Sequence, residues 1–153
     1  MYKESKAMQY YLVTNDTYNY GTEIPLTNYE QPNFEKDENY HLYLIEMIFE
    51  DIRKTHYNEC PSRLNALFLI NGEENAKNIA YSMDKRYVYE VDMNAEGTSK
   101  EFDDHWVELC NKVSYETIKE YAHNYFSGKA SDESKFFTLF NGKGIIKESI
   151  PFL

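Results

Sequence analysis

Polar and apolar positions alternate by twos in some stretches of this chain and by threes and fours in others, and the changes of period mark its elements. QYYLVT, from Gln9 to Thr14, is rich in aromatic and β-branched residues and stops at Asn15-Asp16, which predicts a strand. Between Tyr40 and Tyr57, Leu42, Ile45, Ile48, Phe49 and Ile52 recur at helical steps. Glu46, Glu50, Asp51, Arg53 and Lys54 take the other side and read as a solvated face, with Glu50 and Lys54 as a pair four residues apart. Leu64 to Ile70 is a nearly continuous apolar run closed by Asn71-Gly72, as in a buried strand. EENAKNIAYSM then predicts a second helix with Ala76, Ile79, Ala80 and Met83 on one side. From Arg86 to Met93, Tyr87, Tyr89, Val91 and Met93 alternate with Val88, Glu90 and Asp92, the pattern of a half-buried strand.

Ser99 is placed to cap a helix holding Phe102, Trp106, Leu109 and Cys110, and Ser114 to cap another holding Ile118, Tyr121, Ala122 and Tyr125, with Gly128 as its stop. Two apolar runs flank Asn141-Gly142 and predict a C-terminal β-hairpin that Pro151 limits. Residues 15–39, with Gly21, Pro25 and Pro32, predict a long loop, of a length usually found in functional or mobile segments. This order, without internal repeats, predicts a single compact α+β domain over residues 1–153.

Charge narrows the partners. Twenty-six acidic against 16 basic residues give a net charge of −10, which disfavours nucleic acid and anionic lipid but leaves room for a small basic pocket. No segment approaches the roughly 20 apolar residues that span a membrane, and the N-terminus does not read as a signal peptide, so a soluble protein is expected. Cys60 and Cys110 lie far apart without paired spacing, which suggests a reduced, cytoplasmic setting. Fifteen tyrosines and nine phenylalanines supply either a tyrosine-rich core and surface or an acidic, aromatic contact face.

Candidate chemistry is sparse. Neither a phosphate-cradling GxxxxGK[ST] nor a GxGxxG occurs, and His41, His56, His105 and His123 have no metal-binding spacing. Asp103-Asp104-His105-Trp106 could combine a base, a carboxylate and a ring, but adjacent residues on a helix diverge, so Trp106 reads as a core anchor. Cys60, beside Pro61, has no identified histidine partner for a catalytic thiol. In PSRLNALFLI, Arg63 offers five planar donors suited to phosphate or carboxylate, and Ser62 and Asn65 can add hydrogen bonds. The same arginine equally suits pairing with one of the chain's carboxylates or with loop carbonyls.

YYLVT at Tyr10–Thr14, FEDIR at Phe49–Arg53, PSRLNALFL at Pro61–Leu69, YEVD at Tyr89–Asp92, DDHW at Asp103–Trp106 and YFSG at Tyr125–Gly128 follow one another along the chain. In this order they resemble the DUF2441 family of small bacterial and phage proteins and, through it, the ADP-ribosyltransferase-like fold. The resemblance implies a central split antiparallel sheet flanked by helices, with a C-terminal β-hairpin. It also implies NAD as ligand and substrate, with Tyr11, Thr14, Ser62 and Arg63 at its nicotinamide-ribose half and Asn65 beside them, and transfer of ADP-ribose to a macromolecular target, protein rather than nucleic acid. Loss of nicotinamide through an oxocarbenium-like state calls for a carboxylate late in the chain. The histidine often found in the first strand falls near Leu12, and the late glutamate near Phe137, so Glu148 and Glu133 are the candidate catalytic carboxylates. These two replacements equally suit a noncatalytic acidic binding protein, or a phage-type inhibitor of a basic protein partner, on the same scaffold.

Overall fold

The changes of period become an α+β chain. In a computed structural model that describes residues 8–27, 39–94 and 96–152, the elements are β1 (Tyr10–Thr14), α1 (Tyr40–His56), β2 (Leu67–Asn71), α2 (Glu73–Ser82), β3 (Tyr87–Met93), β4 (Ser99–Asp103), α3 (His105–Glu108), α4 (Tyr115–Phe126), β5 (Phe136–Phe140) and β6 (Gly144–Ile150). They pack as two compact units, one of Met1–Ile24, Leu69–Ala95 and Lys143–Leu153, the other of Pro25–Phe68 and Glu96–Gly142.

In the first unit, β1 lies between β2 and β3, and β6 pairs on the far side of β3, all antiparallel. Glutamates at the start of α2 suit its positive end, and Ala76 and Ala80, one turn apart, are fully buried. Tyr11, Ile70, Val88, Val91 and Ile146 complete this core. Val88, Tyr89, Glu90 and Val91 are all buried, so β3 is covered on both faces rather than half-buried. The expected long loop is tied down in its described first part. Tyr18 N–H donates to the Tyr89 hydroxyl at 3.0 Å, and residues 21–24 run along the outer edge of β6 through Gly21 N–H to Ile146 O (2.8 Å) and Ile24 N–H to Gly144 O (2.9 Å). This covers an edge that would otherwise present unpaired amides. Residues 28–38 of that loop lie outside the described residues.

In the second unit, α1 and α4 enclose an aromatic core. The Phe102 and Tyr125 rings stack with centroids 4.7 Å apart, and Phe49 meets Tyr125 edge-on at 5.5 Å. Ser114 caps α4 as its sequence implies, accepting from Thr117 N–H at 3.2 Å.

Two expected elements are corrected. Ser99 does not cap a helix: residues 99–103 form β4, paired with β5 so that Phe102 opposes Phe137, and only α3, one turn long, carries Trp106. Cross-strand pairing and burial of Phe102 override the helical spacing seen in the sequence. The C-terminal hairpin is not formed either, since β5 pairs with β4 and β6 with β3. The favoured two-residue turns need positive φ at the first central residue or at both, and neither Asn141 nor Gly142 has it. Asn141 instead binds Thr98, accepting from its N–H through Oδ1 at 2.7 Å and donating to its carbonyl at 3.2 Å. Gly142 permits this close approach, because a Cβ there would stand 2.2 Å from the Glu96 carbonyl oxygen.

Candidate functional site

The Ser-Arg entrance to β2 is held by its own backbone. Leu64 N–H donates to Ser62 Oγ at 3.1 Å. Thr27 Oγ1 accepts from Ala66 N–H and lies 3.1 Å from the carbonyls of Arg63 and Ala66. This fixes Arg63 so that its side chain turns into the second unit, where it is only 7% exposed. Its Nε lies 2.9 Å from both carboxylate oxygens of Glu46, and its Nη1 donates to Asp104 Oδ1 at 2.7 Å and to the Tyr125 hydroxyl at 2.9 Å. The guanidinium also sits over the rings of Phe68 and Tyr125, at 5.0 and 5.2 Å from their centroids.

Glu46 and Glu50 therefore do not lie on a solvated face; both are buried, whereas Leu42 is 48% exposed. The stripe of α1 that turns inward is Ile45, Glu46, Phe49 and Glu50. Glu50 does not pair with Lys54 but holds Arg53 and accepts from Ser62 Oγ at 2.7 Å, while Arg53 Nη1 donates to the Cys60 carbonyl at 3.1 Å. Burial pushes the Glu46 carboxyl up, against the pull of Arg63. Burial also works against the charged guanidinium, but Tyr125, Asp104 and Glu46 together hold Arg63 firmly protonated. With two carboxylates around one cation, an incoming anion would have to displace one of them. Asn65 is exposed at the same entrance.

Asp103 and Trp106 anchor the turn after β4. Asp103, 1% exposed, accepts from the backbone amides of His105 and Lys135 through Oδ1 and of Ser131 through Oδ2, at 3.0, 2.9 and 2.6 Å. Burial opposes its ionisation, yet these amides keep the carboxyl below its usual range. Trp106 is buried and donates to the Lys129 carbonyl at 2.7 Å, the core anchor its sequence implies. Glu133 is exposed between α4 and β5.

The first unit brings other candidates together. In its register Tyr11 opposes Glu90, and Glu90 opposes Glu148, so strand pairing sets Tyr11, Glu90 and Glu148 in one cross-strand row. The register shifts between Glu90 and Val91, where Lys147 becomes the extra residue of β6; its Nζ lies 4.0 Å from Glu90 Oε2. Tyr11 is 2% exposed and donates to Gln9 Oε1 at 3.1 Å; burial raises its hydroxyl pKa, as do Glu90, Glu73 and Glu148. A cavity of about 560 Å³ opens beside the row, lined by Met8, Tyr10, Glu90, Asp92 and Lys147 among others. Thr14, at the end of β1, accepts from Asp16 N–H at 3.0 Å and shapes the following turn.

Glu90 is the residue that sequence reasoning passed over. Its signal was a carboxylate inside VYEV, where apolar neighbours on both sides point to a strand covered on both faces. Among the described residues no group of His, Cys, Asp and Glu is placed to hold a metal ion, and no helix is long and apolar enough to cross a membrane.

Residues 3–151 match the family described as protein of unknown function (DUF2441). The chain belongs to the DUF2441 family. A search of curated proteins finds no match. In this DUF2441 member the family-like stretch PSRLNALFL thus supplies a buried ion-pair centre and the start of a strand, and YEVD supplies the middle carboxylate of the cross-strand row.

Proposed function

We propose that this DUF2441 protein binds NAD and is an ADP-ribosyltransferase-like enzyme whose working carboxylates lie in the first unit. The observation that carries this reading is the row Tyr11, Glu90, Glu148, whose middle carboxylate Glu90 lines the cavity of about 560 Å³; the motif resemblance supports it. Carboxylates at such a site would accept hydrogen bonds from ribose hydroxyls and favour the positive charge that develops as nicotinamide leaves. In that step the bond from ribose C1 to the nicotinamide nitrogen breaks, with its electron pair leaving on nicotinamide. C1 then bonds to a nucleophile of the protein target, whose proton passes to Glu148 or Glu90.

Incubation with labelled NAD and cell lysate tests the chemistry. Transfer of label that Glu148→Gln or Glu90→Gln abolishes, and Glu133→Gln leaves unchanged, is the expected result. Transfer insensitive to both Glu148→Gln and Glu90→Gln would refute the assignment.

A second reading, a noncatalytic acidic protein that binds or inhibits a basic protein partner, is favoured by a separate observation: Ser62 and Arg63 are already engaged by Glu50, Glu46 and Asp104. It predicts salt-sensitive recovery of a stoichiometric basic partner. No such partner at low salt would exclude it.

A further inference from the structure

A second cavity of the first unit, about 580 Å³, opens at the C-terminal end of α2 and is lined by Ala80, Tyr81, Asp84, Lys85, Arg86 and Phe152. Its composition departs from the chain's acidic balance: two consecutive cations, Lys85 and Arg86, share the lining with two aromatic side chains and one carboxylate. Tyr81 is 79% exposed. The backbone around them is fixed. Lys85 N–H donates to the Ala80 carbonyl at 2.8 Å, Arg86 N–H donates to Asn15 Oδ1 at 3.0 Å, and Asp84 holds a left-handed φ of 54°.

We infer that this cavity is a binding site for a nucleoside 5′-monophosphate. Each part of such a ligand has a counterpart in the lining. A guanidinium and an ammonium suit a phosphate, the first as a planar fork and the second as a compact charge. Tyr81 and Phe152 offer ring faces on which a base can stack, a contact that tolerates any base. The Asp84 carboxylate is an acceptor for ribose hydroxyls. Asp84 would repel a bare dianion held too close, so the site suits a phosphate linked to a sugar better than free inorganic phosphate. The inference does not rest on the NAD reading, because it uses no residue of the Tyr11, Glu90, Glu148 row.

Titration of the full chain with adenosine 5′-monophosphate, followed by calorimetry and by amide chemical shifts, tests it. Binding is expected to weaken about tenfold or more in Lys85→Gln/Arg86→Gln and to weaken also in Tyr81→Ala, because charge-assisted bonds and stacking are each lost. Lys54→Gln, an exposed charge on α1, controls for net charge and should leave binding unchanged. Adenosine alone and inorganic phosphate alone should each bind more weakly than the nucleotide. Absence of binding at millimolar nucleotide, equal binding of inorganic phosphate, or binding that the double change does not weaken would each overturn the inference. Amide shifts confined to residues away from 80–86 and Phe152 would do the same.

Discussion

Arg63 Nε stands 2.9 Å from both carboxylate oxygens of Glu46, with the two side chains drawn from the entrance to β2 and the inward face of α1. The pair makes the arginine most suited to a ligand into an organiser of the second unit. Removing one member of a buried pair costs far more than the pair contributes, since the other charge is stranded. Arg63→Met should therefore destabilise the protein by about 3–5 kcal/mol in urea unfolding, and adding Glu46→Met should recover part of that loss. A double variant less stable than Arg63→Met alone would show that the two are not coupled in this way.

The Asp103 carboxylate gives a pH signature. Its folded pKa is lowered, so its contribution to stability is present above the unfolded value of about 3.9 and disappears as pH falls through the folded value. Glu46, raised by burial, has the opposite sign. Asp103→Asn should destabilise by about 2–3 kcal/mol at pH 7, where its charge-assisted bonds count fully, and by progressively less below about pH 4. Denaturation midpoints of both proteins from pH 7 to pH 3 measure this; a constant difference would mean that ionisation of Asp103 is not what holds the turn.

The glycines offer a contrast in mechanism. At Gly128 (φ +85°) an added Cβ meets nothing within 4 Å, so Gly128→Ala should cost only the backbone strain, about 1 kcal/mol. At Gly142 a Cβ would meet the Glu96 carbonyl and the Phe140 ring, at 2.2 and 2.4 Å, so Gly142→Ala should cost more, about 1–3 kcal/mol, as overpacking does. Thermal unfolding of the two variants ranks them; equal losses would remove the close approach as the reason for Gly142.

These contrasts mark what could be read from sequence. Apolar spacing and residue type identified α1, α2, α4, β1 and β3, and a continuous apolar run identified β2, although the strand begins at Leu67 rather than Leu64, whose neighbours form the turn before it. Such local signals failed at Ser99 to Asp103, where the strand is set by pairing with β5, and at Asn141-Gly142, where a side chain prefers the Thr98 backbone to a local turn. The candidate site was legible in part. Tyr11 and Glu148 were identified as residues but joined only by register through Glu90, and Ser62 and Arg63 were identified as donors while their acceptors, Glu46 and Glu50, looked solvated. Spacing within one helix does not reveal which of its charges will find a partner 12 or 17 residues away.

Calorimetric titration of NAD into the folded protein and into Glu90→Gln tests the functional proposal most directly. Saturable heat is predicted for the unaltered chain, with affinity about tenfold or more lower in Glu90→Gln, as expected on losing a charge-assisted hydrogen bond. No heat at millimolar NAD, or equal affinity in the two proteins, would contradict it.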